Sequence, residues 1–127
     1  MKKAISTSAA PAAIGTYSQA ILHQNTLYIS GQIPLDPATM EMVSDDVTVQ
    51  IDQVFKNLTA VCSAANADIN DVLKFNVYLT NLDHFPLVNE AMSRLLKEPY
   101  PARAAIEVSA LPKGAQVEVD AIVAIQD

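Results

Sequence analysis

The polar and apolar positions of the chain follow two different periods. They alternate along residues 72–79 and 116–125, and this alternation predicts strands that are buried on one face. Strands are also predicted for residues 3–6, for residues 19–24 and 26–33 with a turn at Gln24 and Asn25, and around Arg103. In residues 72–79 the predicted buried face consists of Leu73, Phe75, Val77 and Leu79.

Two other segments have apolar residues at steps of three and four, which predict amphipathic helices. The first helix has Ser44 or Asp45 as its N-cap and ends near Asn66. The second helix is capped by Asp83, has Pro86 in its first turn, and stops at the prolines that follow it. The apolar stripe of the first helix consists of Val47, Ile51, Val54, Phe55, Leu58, Val61, Cys62 and Ala65.

The order of these elements is strands, helix, strand, helix and two strands. Such an order is typical of the α+β class, with both helices on one face of a mixed or antiparallel sheet. No linker or low-complexity tract interrupts the 127 residues, so we predict a single domain over residues 1–127.

Composition and charge restrict the classes of function. The net charge is −6, and the chain has no basic run beyond Lys2 and Lys3, which argues against a nucleic-acid-binding face. A single cysteine, Cys62, and two isolated histidines give no basis for a disulfide framework or a metal site. Because no apolar run is long enough for a signal peptide or a membrane span, we expect a cytoplasmic protein without membrane contact.

Arg103 is the candidate residue that stands out most from its surroundings. It lies between small and apolar residues, in a chain with only two arginines. If its segment is a core strand, the guanidinium is partly buried and needs a negative partner, because an unpaired buried charge is costly. Arginine also binds a carboxylate through two parallel hydrogen bonds. The partner is therefore an acid of the chain or the carboxylate of a ligand.

The last predicted strand supplies two acids for such a pair. Glu118 and Asp120 lie on the face opposite the series Val117, Val119, Ala121, Val123 and Ile125. The short turn at residues 112–114 predicts that this strand pairs with the strand of Arg103. A structural ion pair between Arg103 and one of the two acids is thus one interpretation, and a ligand-binding arginine is the other.

Tyr17 and Gly31 are further candidates. Tyr17 follows a glycine on an irregular segment, where it either covers a ligand or anchors the loop to the core. Gly31 is near the end of a predicted strand, where glycine permits a bulge or a close approach of the backbone to a ligand.

Five short motifs stand in order along nearly the whole chain. They are Gly15-x-Tyr17-Ser18-Gln19-Ala20, Ser30-Gly31-Gln32-Ile33-Pro34, Val88-Asn89-Glu90, Pro101-Ala102-Arg103 and Leu111-Pro112-Lys113-Gly114-x-x-Val117-Glu118. Together they resemble the YjgF/YER057c/UK114 family, also called the Rid family of reactive intermediate deaminases. The resemblance is greatest to the branch in which an arginine holds the substrate carboxylate.

The resemblance implies a fold, an assembly and an activity. The fold is that of trimeric chorismate mutase, and three chains form a barrel-like homotrimer with clefts between subunits. The activity is that of a 2-iminobutanoate/2-iminopropanoate deaminase, which hydrolyses enamines and imines such as 2-aminoacrylate to 2-keto acids and ammonia. No metal or organic cofactor takes part.

The resemblance also implies roles for individual residues. Arg103 clamps the substrate carboxylate, Glu118 positions or activates the attacking water, and Tyr17 of a neighbouring subunit closes over the ligand. The residues implied to line or shape the cleft are Ser30, Gly31, Asn89 and Ala105.

The chain departs from the family pattern at two places. Ala105 stands where many members have a cysteine, which excludes a thiol-dependent step at that position but leaves a role for the backbone. Leu95 and Leu96 replace aromatic residues, which puts the size of the substrate in question.

Two other functions remain open at this level. One is a regulatory module that binds small carboxylates without turnover. The other is an endoribonuclease or translation inhibitor, a role attributed to some relatives, which the acidic balance of the chain disfavours.

Overall fold

The two periods of the sequence give strands and helices at the predicted places. The computed structural model describes residues 1–126. Its strands are β1 (Lys3–Ile5), β2 (Ala20–His23), β3 (Thr26–Gln32), β4 (Val72–Leu79), β5 (Ala102–Glu107) and β6 (Val117–Ala124). Its helices are α1 (Val47–Ala64) and α2 (Phe85–Leu95). Where a strand range was predicted, its ends agree with the observed ones to within one residue.

The six strands form one sheet in the order β1-β2-β3-β6-β4-β5. Neighbouring strands are antiparallel except for β4 and β5, which are parallel and are connected by the crossover that contains α2. The prediction that β5 pairs with β6 was wrong, because β4 lies between them. The inward-facing residues of β6 are fully buried apolar side chains, and a strand of this kind gains most from a central place.

Both helices pack on one face of the sheet, which confirms the predicted α+β arrangement. The core between sheet and helices contains Phe75 and Val77 of β4, Val119 of β6 and Leu58 of α1, all of them fully buried. The rings of Phe55 and Phe75 meet edge to face, with centroids 5.7 Å apart. The other face of the sheet, hereafter the open face, has no helix of residues 1–126 on it.

The first helix begins one or two residues later than predicted. Its N-cap is Asp46, whose carboxylate accepts hydrogen bonds from the backbone N–H groups of Thr48 and Val49. The prediction of Ser44 or Asp45 was therefore wrong. The predicted end is confirmed, because α1 stops at Ala64 and Asn66 adopts a left-handed backbone conformation just beyond it.

The second helix does not have Asp83 as its cap. Asn81 caps a short 3₁₀ turn over Leu82–His84, in which Asp83 is a member, and α2 follows from Phe85 with Pro86 in its first turn. The sequence does not distinguish a helix from a helix preceded by one tighter turn.

Leu73 is exposed by 52%, although the alternation placed it in the core. The ladder between β4 and β6 has a bulge between Val72 and Lys74, so that Val72 takes the buried position instead. A bulge shifts the alternation by one residue. The prediction is confirmed for Phe75, Val77 and Leu79 and was wrong for Leu73.

Three further observations concern classes of site. Within residues 1–126 no helix is long and apolar enough to cross a membrane. The same residues contain no group of three or more histidine, cysteine, aspartate or glutamate side chains placed to hold a metal ion. Cys62 is buried in α1, and this burial raises the pKa of its thiol to about 12.

Candidate functional site

Arg103 lies on the edge strand β5 and is oriented by three residues of α2. Its register partner on β4 is Phe75, a core residue, so the arginine emerges on the helix-covered face. Nη1 donates a hydrogen bond to Oδ1 of Asn89 over 2.9 Å and lies 3.7 Å from the sulfur of Met92. The guanidinium carbon is 4.6 Å from the ring centroid of Phe85, which is a cation–π contact.

The guanidinium of Arg103 is exposed and has no acidic partner among residues 1–126. The condition for partial burial, a core strand, is not met, because β5 is an edge strand with mostly exposed residues. The structural ion pair with Glu118 or Asp120 is not formed either. Of the two arginines, Arg94 makes the ion pairs, at 2.9 Å from Glu90 and 3.7 Å from Asp52.

A cleft of about 350 Å³ lies beside Arg103. It is lined by Asn89, Met92, Ser93, Leu96, Tyr100 and Pro101. Leu96, one of the two residues that depart from the family pattern, is therefore part of this wall, whereas Leu95 faces a separate groove between α1 and α2. Ala105, two residues beyond the arginine, borders Phe85 and Pro86 on the other side.

Glu118 lies on the opposite face of the sheet. It pairs in register with Tyr78 of β4, on the open face, and is half-buried. Burial raises the pKa of the Glu118 carboxyl, and the negative charge of Asp120 raises it further. No side chain or backbone group of residues 1–126 donates a hydrogen bond to the side-chain carboxyl of Glu118. Its carboxyl group is thus suited to accept and return a proton.

Gly31 provides the surface on which Glu118 rests. The ladder between β3 and β6 has an irregularity between Ile29 and Gln32, and Gly31 lies within it. A Cβ atom at Gly31 would lie 2.8 Å from Cδ of Glu118 and would overlap its Oε2. The strand therefore needs glycine here for the carboxyl group to lie where it does.

Tyr17 lies on the segment between β1 and β2 and is 51% exposed. Its hydroxyl accepts a hydrogen bond of 3.3 Å from the backbone N–H of Ile14. Together with Gly31 it lines a cavity of about 420 Å³ that does not include Arg103. Ser30 holds this segment in place, because its hydroxyl donates to the carbonyl of Ser18 over 2.6 Å.

Three residues with clear roles in this geometry were missed from the sequence. Phe85 and Met92 contact the guanidinium, but an aromatic and a methionine on a helix are ordinarily core residues. Gln19 is buried and donates through Nε2 to the carbonyls of Ala10 and Pro11, which fixes the loop that carries Tyr17. The sequence offered one signal for this role, which is a polar glutamine at the start of an apolar predicted strand.

The candidate residues form two separate groups in one chain. The arginine half consists of Arg103, Ala105 and Asn89, on β5 and α2. The carboxylate half consists of Glu118, Gly31 and Tyr17, on β6, β3 and the loop before β2. The first half is suited to hold an anion, and the second is suited to move a proton.

The chain is thus a small α+β protein whose two groups of candidate residues lie on opposite faces of one sheet. The sequence profile described as Endoribonuclease L-PSP matches residues 7–125. The chain belongs to this family, which is the YjgF/Rid family named above.

Individual relatives agree with this assignment. The protein DfrA of Myxococcus xanthus is 49% identical over 123 residues, which cover 95% of this chain and 94% of the relative. The human 2-iminobutanoate/2-iminopropanoate deaminase is 45% identical over 122 residues, covering 96% and 89%. The crystal structure of RidA from the Antarctic bacterium Psychrobacter sp. PAMC 21119 superposes with a TM-score of 0.93, at 53% identity and 97% and 99% coverage.

Proposed function

We propose that this protein is a 2-iminobutanoate/2-iminopropanoate deaminase that hydrolyses small 2-imino acids to 2-keto acids and ammonia. The observation that carries the proposal is the guanidinium of Arg103, which three residues of α2 orient but no acid of residues 1–126 neutralises. An exposed, oriented arginine of this kind fits the carboxylate that every 2-imino acid carries. The name of the human relative supports the same substrate class.

Because the two halves lie on opposite faces of one chain, the proposed reaction needs halves from two chains. We propose a barrel-like homotrimer in which Arg103, Ala105 and Asn89 of one subunit face Glu118, Gly31 and Tyr17 of the next. The open face supports this assembly, because large apolar side chains are exposed on it: Tyr28 is 49% and Ile106 is 51% exposed. A neighbouring subunit would cover this surface and complete each cleft.

The proposed reaction begins when Arg103 binds the substrate carboxylate and places the C=N carbon near Glu118. The oxygen of a water forms a bond to this carbon, the π electrons of the C=N bond move to nitrogen, and one proton of the water passes to Glu118. Glu118 then gives this proton to the amino nitrogen. The C–N bond then breaks, its electron pair leaves with the nitrogen as ammonia, and the hydroxyl becomes the carbonyl by giving its proton to Glu118. Ammonia takes this proton from Glu118 and leaves as ammonium, the 2-keto acid is released, and Glu118 is again ionised.

In this scheme the protein acts mainly by positioning the substrate and the attacking water. A protonated imine is already electrophilic. Holding the substrate and directing one water therefore supplies much of the rate acceleration that is still needed. Proton transfer through a placed carboxyl group adds about 10²–10⁴-fold in typical enzymes. Water is the second reactant, and the scheme uses no metal or organic cofactor. Tyr17 closes over the ligand, and the backbone of Gly31 and Ala105 lines the reacting end.

The test is a coupled assay with 2-aminoacrylate. An excess of serine dehydratase generates the enamine, so that its hydrolysis becomes the slow step, and the release of pyruvate and ammonia is followed with and without the protein. We expect faster release with the wild type and a loss of the effect in Arg103→Ala and Glu118→Gln. Arg94→Ala is the matched control, because Arg94 pairs with Asp52 and Glu90 instead.

The assay also separates catalysis from binding alone. If no small 2-imino acid is hydrolysed faster than it is spontaneously, the deaminase proposal fails. Calorimetry with pyruvate or 2-oxobutanoate then decides whether the cleft binds 2-keto acids without turnover. Binding that depends on Arg103 in the absence of any acceleration would identify a carboxylate-binding module.

A further inference from the structure

Asp120 lies beside Glu118 in a row of polar side chains on the open face. Asn76 is its register partner on β4, and Tyr78 is the partner of Glu118. Asn76 Nδ2 donates a hydrogen bond of 2.8 Å to Oδ1 of Asp120, and the Tyr78 hydroxyl donates one of 3.0 Å to Oδ2. Both oxygens of Asp120 are therefore held by side chains of the neighbouring strand.

Glu118 has the same chemistry but a different environment. Residues two apart on a strand face the same side, with Cα atoms about 6.6 Å apart. Within residues 1–126, the side-chain carboxyl of Glu118 accepts no hydrogen bond and rests on Gly31, where a Cβ atom would overlap it. One acid of the pair is thus fixed by two donors, and the other is left to interact with water or ligand.

We propose that Asp120, held by Tyr78 and Asn76, is a positioning residue whose fixed charge makes Glu118 the acid that exchanges protons with the reacting water. The inference deepens the proposed deaminase function and rests on it. Two neighbouring acids in unequal environments commonly divide their tasks in this way, one ionised throughout and one carrying the proton. Asp120 does not itself contact the substrate in this assignment.

The electrostatics agree with the geometry. The pKa of Glu118 is raised first by burial and then by the charge of Asp120. The pKa of Tyr78 is also raised, by burial, by its hydrogen bond to Asp120 and by the two negative charges. The phenol therefore keeps its proton and remains a donor to Asp120.

Few other charges face this row. The remaining titratable side chains on the adjacent strands and loops are Tyr28 on β3, Lys74 on β4, and Tyr17 and Lys113 on the loops near Gly31. Strand β5 contributes only Ala102, Ala104 and Ile106 to the open face. Asp120 is the charged group that raises the pKa of Glu118.

The experiment compares Asp120→Asn with Asp45→Asn in the full-length assembled protein. Asp45 is exposed on the loop before α1, and its side chain makes no hydrogen bond within residues 1–126, so the control removes the same charge outside the row. Two quantities are measured: the pH profile of kcat/KM for 2-aminoacrylate, and the titration of the Glu118 side-chain carboxyl by ¹³C NMR. Glu118→Gln assigns the resonance. Circular dichroism and the sedimentation mass check that each variant keeps its fold and assembly.

We expect the Glu118 titration and the acidic limb of the profile to shift to lower pH in Asp120→Asn and to remain unchanged in Asp45→Asn. Tyr78→Phe, which removes one donor and keeps the ring, is the second variant and should shift both in the same direction by less. The part of the pH profile of kcat/KM that reports protonation of the substrate imine should be the same in all variants.

An unchanged Glu118 titration in folded Asp120→Asn and Tyr78→Phe would overturn the inference. The NMR titration does not need turnover, so the two proposals can fail separately. If Glu118 shifts as expected but the wild type hydrolyses no imine, the deaminase function fails and the coupling of the two acids stands. If turnover is normal and neither titration nor profile responds, the function stands and the role of Asp120 is refuted.

Discussion

The two halves of the candidate site are built in different ways. Arg103 is exposed on an edge strand, and its orientation comes from side chains of a helix. Glu118 is half-buried on the central strand, and its position comes from a glycine where no side chain fits. A group that binds an anion needs orientation and access, whereas a group that moves a proton needs an environment that changes its pKa. The orientation of Arg103 is lost when its contacts with α2 are removed. The environment of Glu118 is lost when the space at Gly31 is filled or a neighbouring charge is removed.

The largest effect is expected for Arg103→Met. This change removes the two charge-assisted hydrogen bonds proposed to the substrate carboxylate, worth about 3 kcal/mol or more together, which is roughly a hundredfold or greater loss in kcat/KM. Steady-state kinetics on 2-aminoacrylate measure it. Arg94→Met should remain within about twofold of the wild type, since exposed pairs contribute little. Equal losses in both variants would show that the net charge matters and the clamp does not.

Gly31→Ala probes the carboxylate half. The added methyl group displaces Glu118, and a misplaced proton carrier costs roughly ten- to a hundredfold in kcat. Gly114→Ala is the matched control. Gly114 has a φ of +71° and no atom within 4 Å of the added Cβ. We therefore expect this change to lower stability by about 1 kcal/mol and to leave turnover unchanged. Steady-state kinetics and thermal melts together separate an effect on turnover from an effect on stability. Normal turnover in Gly31→Ala would remove Glu118 from the mechanism.

Phe85→Leu tests whether the helix aims the arginine. Loss of the cation–π contact at an exposed site is worth about 0.5–1 kcal/mol, or roughly two- to fivefold in kcat/KM. We expect the change mainly in KM, because the contact orients a binding group. Phe85→Trp should restore the value. A failure of tryptophan to rescue would indicate that Phe85 acts through packing alone.

The smallest effect is expected in the pH dependence of stability. Since burial raises the pKa of Glu118 above the ordinary value of 4.5, ionisation of this group favours the unfolded chain. Its contribution to stability is present below pH 4.5 and is lost as the pH rises through the raised pKa. Glu118→Gln should therefore be more stable relative to the wild type at neutral pH than at pH 4. Glu41→Gln, at an exposed acid, is the control for the loss of one negative charge.

Much of this comparison was accessible from the sequence, because each half contains residues with a strong pattern. The period of two defined β4 and β6, the steps of three and four defined both helices, and the motifs around Gly31, Arg103 and Glu118 indicated the family. These features depend on local chemistry, which the order of residues records directly.

The relation between the halves was not accessible in the same way. Arg103 and Glu118 were placed on paired strands, but β4 lies between their strands, and the two side chains lie on opposite faces. Strand order is decided by which apolar faces pack best over long sequence separations. The bulge at Leu73 and the contact of Phe85 with Arg103 depend on the same tertiary packing.

The place of β6 has a consequence for biosynthesis. It is the last of the six strands in chain order, yet it lies between β3 and β4 and joins the two parts of the sheet. During translation the hairpins β1–β3 and the unit β4–α2–β5 emerge first, and neither has its central neighbour until β6 leaves the ribosome. The strand that closes the sheet also carries Glu118 and Asp120. A nascent chain therefore cannot bring Glu118 and Asp120 into place before its sheet is complete, so that the fold and the proposed site form in the same event.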